Sequence, residues 1–251
     1  MGFMLVANPK GNYSFVRGIA PYSGGAVAAE GYEIIHVRMS QPVPLAAGFE
    51  RVKAQLEAMG RPLTALCSME LRSPRPFTFP GFNEFNAGYV KVLREWGLLF
   101  DGMNPVARTN IAPEIGAPTE PSLYGFGFTV ASKTTRKTFI VAGAGELPEG
   151  SLDPHDVIRR GELSAEALRV KAQYVMGLMT GRLTGLGVSW DLVTVAEMYT
   201  VHPVWHLLAE DVVKKMGKGA AHGVTWHYSR PPIETIEFEM DVRGCARELV
   251  L

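Results

Sequence analysis

The sequence predicts an α+β fold of two tandem units, each a mixed sheet with two helices packed on one face. Two observations carry this. In the first half, strand-like runs rich in β-branched residues alternate with amphipathic helical stretches as strand, helix, strand, helix, strand, and the second half runs through the same order again. Helices that come singly between strands bury their apolar stripes on one face of an open sheet. The units are expected at residues 1–120 and 121–251, the second a degenerate copy. At 251 residues and 47% apolar composition, the chain can fill an ample core.

In order, a Gly/Asn/Pro-rich opening leads into 13–27, punctuated by Gly18, Pro21, Gly24 and Gly25. Proline fixes φ and glycine lets backbones approach closely, so this reads as an irregular strand or loop beside a site, with Tyr22 in it. The run 32–39 is strand-like. Leu45, Phe49, Val52, Leu56 and Met59 recur at helical spacing and Gly60 stops that helix. A strand over 63–71 contains Cys67, read as a small core residue. After a Pro-rich loop, Phe82, Phe85, Tyr89, Val92 and Trp96 form the stripe of a second helix that Gly97 ends, with Asn86 beside the stripe. The strand Asn104–Ile111 then sets one cation, Arg108, among small, apolar and amide residues, with Thr109 and Asn110 following it.

In the second half, 122–132 is a strand at the junction and 137–146 a strand ending in a small-residue turn. A helix from about Ser164 carries Leu168, Val175, Met179 and Leu186 on one side. A strand over 191–200, a helix over 203–216 and strands over 222–229 and 233–242 complete it, the last alternating as Ile236-Glu237-Phe238-Glu239-Met240.

Lys+Arg 25 balances Asp+Glu 25, and no basic run exceeds two residues. A nucleic-acid partner, which needs a basic stripe to neutralise phosphates, is not expected. Cys67 and Cys245 form no zinc or redox spacing. No run reaches membrane-spanning length, and the start lacks a basic leader, so a cytoplasmic protein without a membrane partner is expected. His202 and His206 have the i, i+4 spacing of a metal pair, but Pro203 follows the first and no HExxH glutamate is present, so no metal is expected. Gly143-Ala144-Gly145 matches a phosphate loop only loosely.

A guanidinium stays charged and offers five donors in a rigid fork, so Arg108 needs an anionic or carbonyl partner. That partner is either a protein carboxylate or a ligand's. The segments Ile19-Ala20-Pro21-Tyr22, Phe82-x-x-Phe85-Asn86-x-x-Tyr89 and Pro105-Val106-Ala107-Arg108-Thr109 resemble, in order and approximate spacing, motifs of the reactive-intermediate imine deaminase (RidA/YjgF) family, formerly labelled endoribonuclease L-PSP. Val141-Ala142-Gly143-Ala144-Gly145-Glu146 and Ile236-Glu237-Phe238-Glu239 resemble the same unit in the second half.

The resemblance implies chorismate-mutase-like units associated around a threefold or pseudo-threefold axis, hence self-association. It implies an enzyme without cofactor, a hydrolase of C=N bonds that converts small carboxylate-bearing imines or enamines, amino-acid- or aminomuconate-derived, to oxo acids and ammonia. Arg108 is then the substrate-carboxylate clamp, Tyr22 a cleft hydroxyl, and Asn86, with Thr109 and Asn110, cleft amide and strand neighbours. The chain departs from the pattern where the first unit should end in two acids and has Leu123-Tyr124-Gly125-Phe126 instead, while the second unit keeps glutamates but lacks the arginine. A composite site is therefore expected, Arg108, Tyr22 and Asn86 facing Glu237 or Glu239. Two readings stand beside it: a non-catalytic carboxylate-metabolite sensor, and a chorismatase-like hydrolase.

Overall fold

The apolar stripes read from the sequence do close on sheets, but not on sheets confined to one half of the chain. The computed structural model describes residues 3–251. The first half supplies β1 (Leu5–Asn8), β2 (Tyr13–Val16), β3 (Gly25–Ala28), β4 (Tyr32–Pro44), α1 (Leu45–Ala58), β5 (Leu66–Arg72), α2 (Phe79–Glu95) and β6 (Ala107–Pro113). There follow β7 (Ser122–Ala131), β8 (Phe139–Gly145), α3 (Ala165–Gly185), β9 (Val195–Tyr199), β10 (Thr225–His227), β11 (Ser229–Arg230), β12 (Glu239–Gly244) and β13 (Arg247–Val250). Ser164 caps α3 by accepting from the Ala167 N–H, and Thr78 caps α2 by accepting from the Gly81 N–H. The helix expected over 203–216 is an irregular helical segment, interrupted at Gly217, whose φ is 55°.

The strands form one seven-stranded sheet, β1-β2-β3-β8-β12-β9-β10, and one six-stranded sheet, β11-β6-β5-β7-β4-β13. This corrects the expected fold class: the chain is not two tandem chorismate-mutase-like units, each with its own mixed sheet and helix pair. β3 of the first half pairs antiparallel with β8, while the C-terminal β13 pairs in parallel with β4 and β11 pairs with β6. Hydrophobic periodicity reports which residues face a core; it does not report which edge a strand joins.

The architecture has four layers. α1 and α2 pack Val52, Leu56, Tyr89 and Leu93 on the outer face of the six-stranded sheet. α3 and the irregular segment pack Leu168, Val175, Met179 and Val212 on the other outer face, against Phe238, Met240 and Val242 of the β12 region. Where the sheets meet, one half is apolar, with Phe15, Ala26, Ile34, Cys67 and Ile140. The other half is ionic. His36 meets Glu70 at 2.7 Å, Arg243 reaches Glu197 at 2.9 Å, and the Tyr199 hydroxyl lies 2.9 Å from Asp241. Burial lowers the His36 pKa, but Glu70, together with Glu248, more than reverses this and holds it at about 9. No helix among the described residues is long and apolar enough to cross a membrane.

Candidate active site

β6 lies near one edge of the six-stranded sheet, parallel to β5 with Arg108 opposite Met69. Because strand side chains alternate, Arg108 and Asn110 leave on the side of α2 and Thr109 on the side of the facing sheet. Arg108 is 3% exposed, and neither terminal nitrogen has a hydrogen-bond partner. Its guanidinium carbon lies 4.8 Å from the Tyr22 ring, 4.9 Å from Tyr89, 5.4 Å from Phe82 and 5.8 Å from Phe85. The rings supply cation–π attraction but no acceptor. Burial pulls the Arg108 pKa below the usual guanidinium value, and the neighbouring Tyr89, Tyr22 and Glu239 oppose this.

Arg108 opens into a pocket that encloses about 690 Å³ of empty space, open mouth and adjoining solvent included. Tyr22, Phe82 and Asn110 line it from the first half, and Gly143, Glu149, Arg182 and Glu239 from the second. Asn110 accepts a hydrogen bond from the Ser73 hydroxyl at 3.0 Å and keeps its own amide nitrogen unbonded. Glu239 is buried on β12. Burial, then the charge of Asp241, pushes its pKa up from the ordinary carboxylate value against the pull of Arg182 and Arg108, which favours the neutral acid form. Tyr22 is half-buried, and burial raises its pKa against the pull of Arg108 and Arg182.

Three residues named from the sequence lie outside the pocket wall. Asn86 is buried on α2 with both polar side-chain atoms unbonded. The Thr109 hydroxyl accepts from the Gly143 N–H at 3.0 Å on the inner face. Glu237 points to His202, 2.7 Å away, and His206 lies 3.0 Å from the Ala165 carbonyl. No group of three potential metal ligands occurs among the described residues.

Sequence reading missed the second arginine and the support beneath Glu239. Arg182, at the end of α3, donates to Glu149 at 2.5 Å and to the carbonyls of Ala142 and Gly143 at 2.8 and 3.2 Å. Lys171 and Glu146 form an ion pair of 2.9 Å with neither side chain exposed. Glu146 also accepts from the Glu237 and Phe238 N–H groups at 2.7 and 3.0 Å, which fixes the backbone leading into Glu239. A signal existed. Lys171 and Arg182 fall at helical spacing within the stripe Leu168, Val175, Met179, Leu186, and a cation in a buried stripe requires a partner. Gly143 has its own reason: a Cβ there would overlap Glu239 and lie 3.0 Å from Thr109.

The family model for 2-aminomuconate deaminase CnbZ matches residues 5–249. A 2-amino-5-chloromuconate deaminase of Comamonas testosteroni is 43% identical over 244 residues, covering 96% of each chain. Among solved structures, a chorismatase aligns with a TM-score of 0.47 at 12% identity, over 96% of this chain and 78% of its own. The family match corrects the resemblance to RidA/YjgF, which rested on short motifs, whereas this match spans nearly the whole chain.

Proposed function

We propose, from the premise that the chain belongs to the 2-aminomuconate deaminase CnbZ family, that its pocket hydrolyses a 2-aminomuconate-type enamine to the 2-oxo acid and ammonia. The observation that carries this reading is the buried Arg108 fork, both terminal nitrogens unbonded, in one pocket with the buried carboxyl of Glu239. A carboxylate received by the fork gains charge-assisted hydrogen bonds of roughly 1.5–3 kcal/mol each and is fixed in orientation. That positions the adjacent C–N carbon, where orientation replaces most of the nucleophilic machinery.

The chemistry then needs one group that gives and takes a proton. Glu239 as the acid protonates the enamine carbon, leaving an iminium ion and a carboxylate. That carboxylate takes a proton from the water that attacks the iminium carbon, giving the carbinolamine. The same proton passes to nitrogen, ammonia leaves as the C–N bond breaks, and the hydroxyl proton returns to Glu239 as the carbonyl forms. Enamine plus water becomes oxo acid plus ammonia, with the acid regenerated. Tyr22 stacks against Arg108 and sets the pocket's polarity near the reacting carbon. A pocket that only sensed a carboxylate would have no use for a buried neutral acid beside its clamp.

The test is ammonia release and loss of the substrate's near-ultraviolet absorbance with freshly generated 2-aminomuconate. Wild type is expected to accelerate both, and Glu239→Gln and Arg108→Gln to lose at least about a hundredfold in kcat/KM while remaining folded. Absence of acceleration by wild type refutes the reading.

A further inference from the structure

Arg182 and Glu149 share the pocket with Arg108 but have no place in the mechanism above. Their pairing is asymmetric. The Arg182 side chain is 5% exposed and pinned by the Ala142 and Gly143 carbonyls, so its position does not depend on Glu149. Its hydrogen bonds run from Nε and one terminal nitrogen, and the side chain lines the pocket. Glu149 is 30% exposed and sits before Gly150, whose φ of 84° marks a turn, in a segment that walls the mouth from Leu147 to Leu152. One partner is fixed and buried; the other is a side chain that can swing into water.

Charge counting agrees. With Glu149 in place and Glu239 neutral, Arg108 leaves the pocket one positive charge in excess; with Glu149 turned out, the excess is two. We propose that Arg182 is a second carboxylate anchor, occupied at rest by the chain's own Glu149, and that a dicarboxylate ligand displaces Glu149 to engage both arginines. This makes Arg182 the residue that discriminates dicarboxylates from monocarboxylates. Glu149 becomes an internal competitor that keeps the anchor neutral until a guest with a second acid group arrives. The inference rests on the proposed reading of the pocket and adds to it which residues set substrate class.

Two unreactive six-carbon dienes separate the possibilities: cis,cis-muconate, with two carboxylates, and 2,4-hexadienoate, with one. Binding is measured by titration calorimetry at low salt. Wild type is expected to bind muconate roughly tenfold or more tighter than hexadienoate, the factor one charge-assisted contact supplies. Arg182→Gln abolishes that preference, weakening muconate far more than hexadienoate. Glu149→Gln, which leaves Arg182 and its carbonyl contacts in place, tightens muconate severalfold and by clearly more than it tightens hexadienoate. Should Arg182→Gln not fold, Glu149→Gln decides alone. The inference is overturned if Glu149→Gln leaves muconate affinity unchanged, or weakens both ligands as loss of a structural pair would. If that happens while wild type still releases ammonia and Arg108→Gln does not, the deaminase reading survives without the second anchor.

Discussion

Replacing Lys171 by methionine keeps most of the side-chain volume and removes one buried charge. In the native protein the ammonium lies 2.9 Å from Glu146, and neither side chain is exposed. Removing one partner of such a pair costs about 3–5 kcal/mol when the remaining charge stays ionised. Glu146 has an escape, because burial already pushes its pKa up with Lys171 present, and without Lys171 the carboxyl takes up a proton. Protonating a carboxyl of ordinary pKa 4.5 at pH 7 costs about 3 kcal/mol, which caps the loss. For a chain of this length that corresponds to a fall in Tm of roughly 6–12 °C. The folded variant binds a proton that the unfolded chain releases, so its stability rises as pH falls. The deficit against wild type should shrink as pH falls from 7 to 5, by at most about 1.4 kcal/mol per pH unit. Urea denaturation of both proteins across that range measures it. A deficit below about 1 kcal/mol at pH 7, or one indifferent to pH, refutes the argument.

Three further outcomes follow from the geometry. Arg108→Met removes two buried, unbonded nitrogens from among four aromatic rings, so Tm should rise by a few degrees, about 1 kcal/mol, as deaminase activity disappears; a marked fall in Tm would mean the fork has a partner in the free protein. Gly143→Ala places a methyl against Glu239 and 3.0 Å from Thr109, so kcat/KM should drop by roughly a hundredfold or more with little change in the urea midpoint. His36, with its pKa raised from 6.5 to about 9, contributes stability that is fully present below pH 6.5 and lost as pH rises through 9, up to about 3 kcal/mol. Urea midpoints across that window should fall in wild type and flatten in His36→Gln.

Local structure was largely legible in the sequence because periodicity is a local property. The stripe Phe82, Tyr89 marks α2, and Ser164 marks the start of α3. Pairing was not legible. Nothing in Arg247–Val250 says that it lies beside Ile35–Arg38, and the tandem-unit expectation failed on contacts of that kind. The candidate site divides similarly. Arg108 stood out because it was the one cation in an apolar strand. Arg182, Lys171 and Glu146 looked like ordinary charges of a solvated helix and turn until the helical spacing of the first two is set against the stripe they share. Glu237 and Glu239 were indistinguishable as alternating acids. Only the facing sheet decides that Glu239 enters the pocket and that Glu237 turns to His202.

The crossing of the C-terminal strand onto β4 bears on how the chain is made. During synthesis β4 emerges early, yet the neighbour that covers its free edge follows much later, Arg247 docking beside Ile35 only when everything between has left the ribosome. Until then a long ribbon with unpaired amide groups is open to any other extended segment. Nascent chains should therefore depend on holding factors until Arg247–Val250 has emerged, and refolding from denaturant should be slow, its yield falling as protein concentration rises.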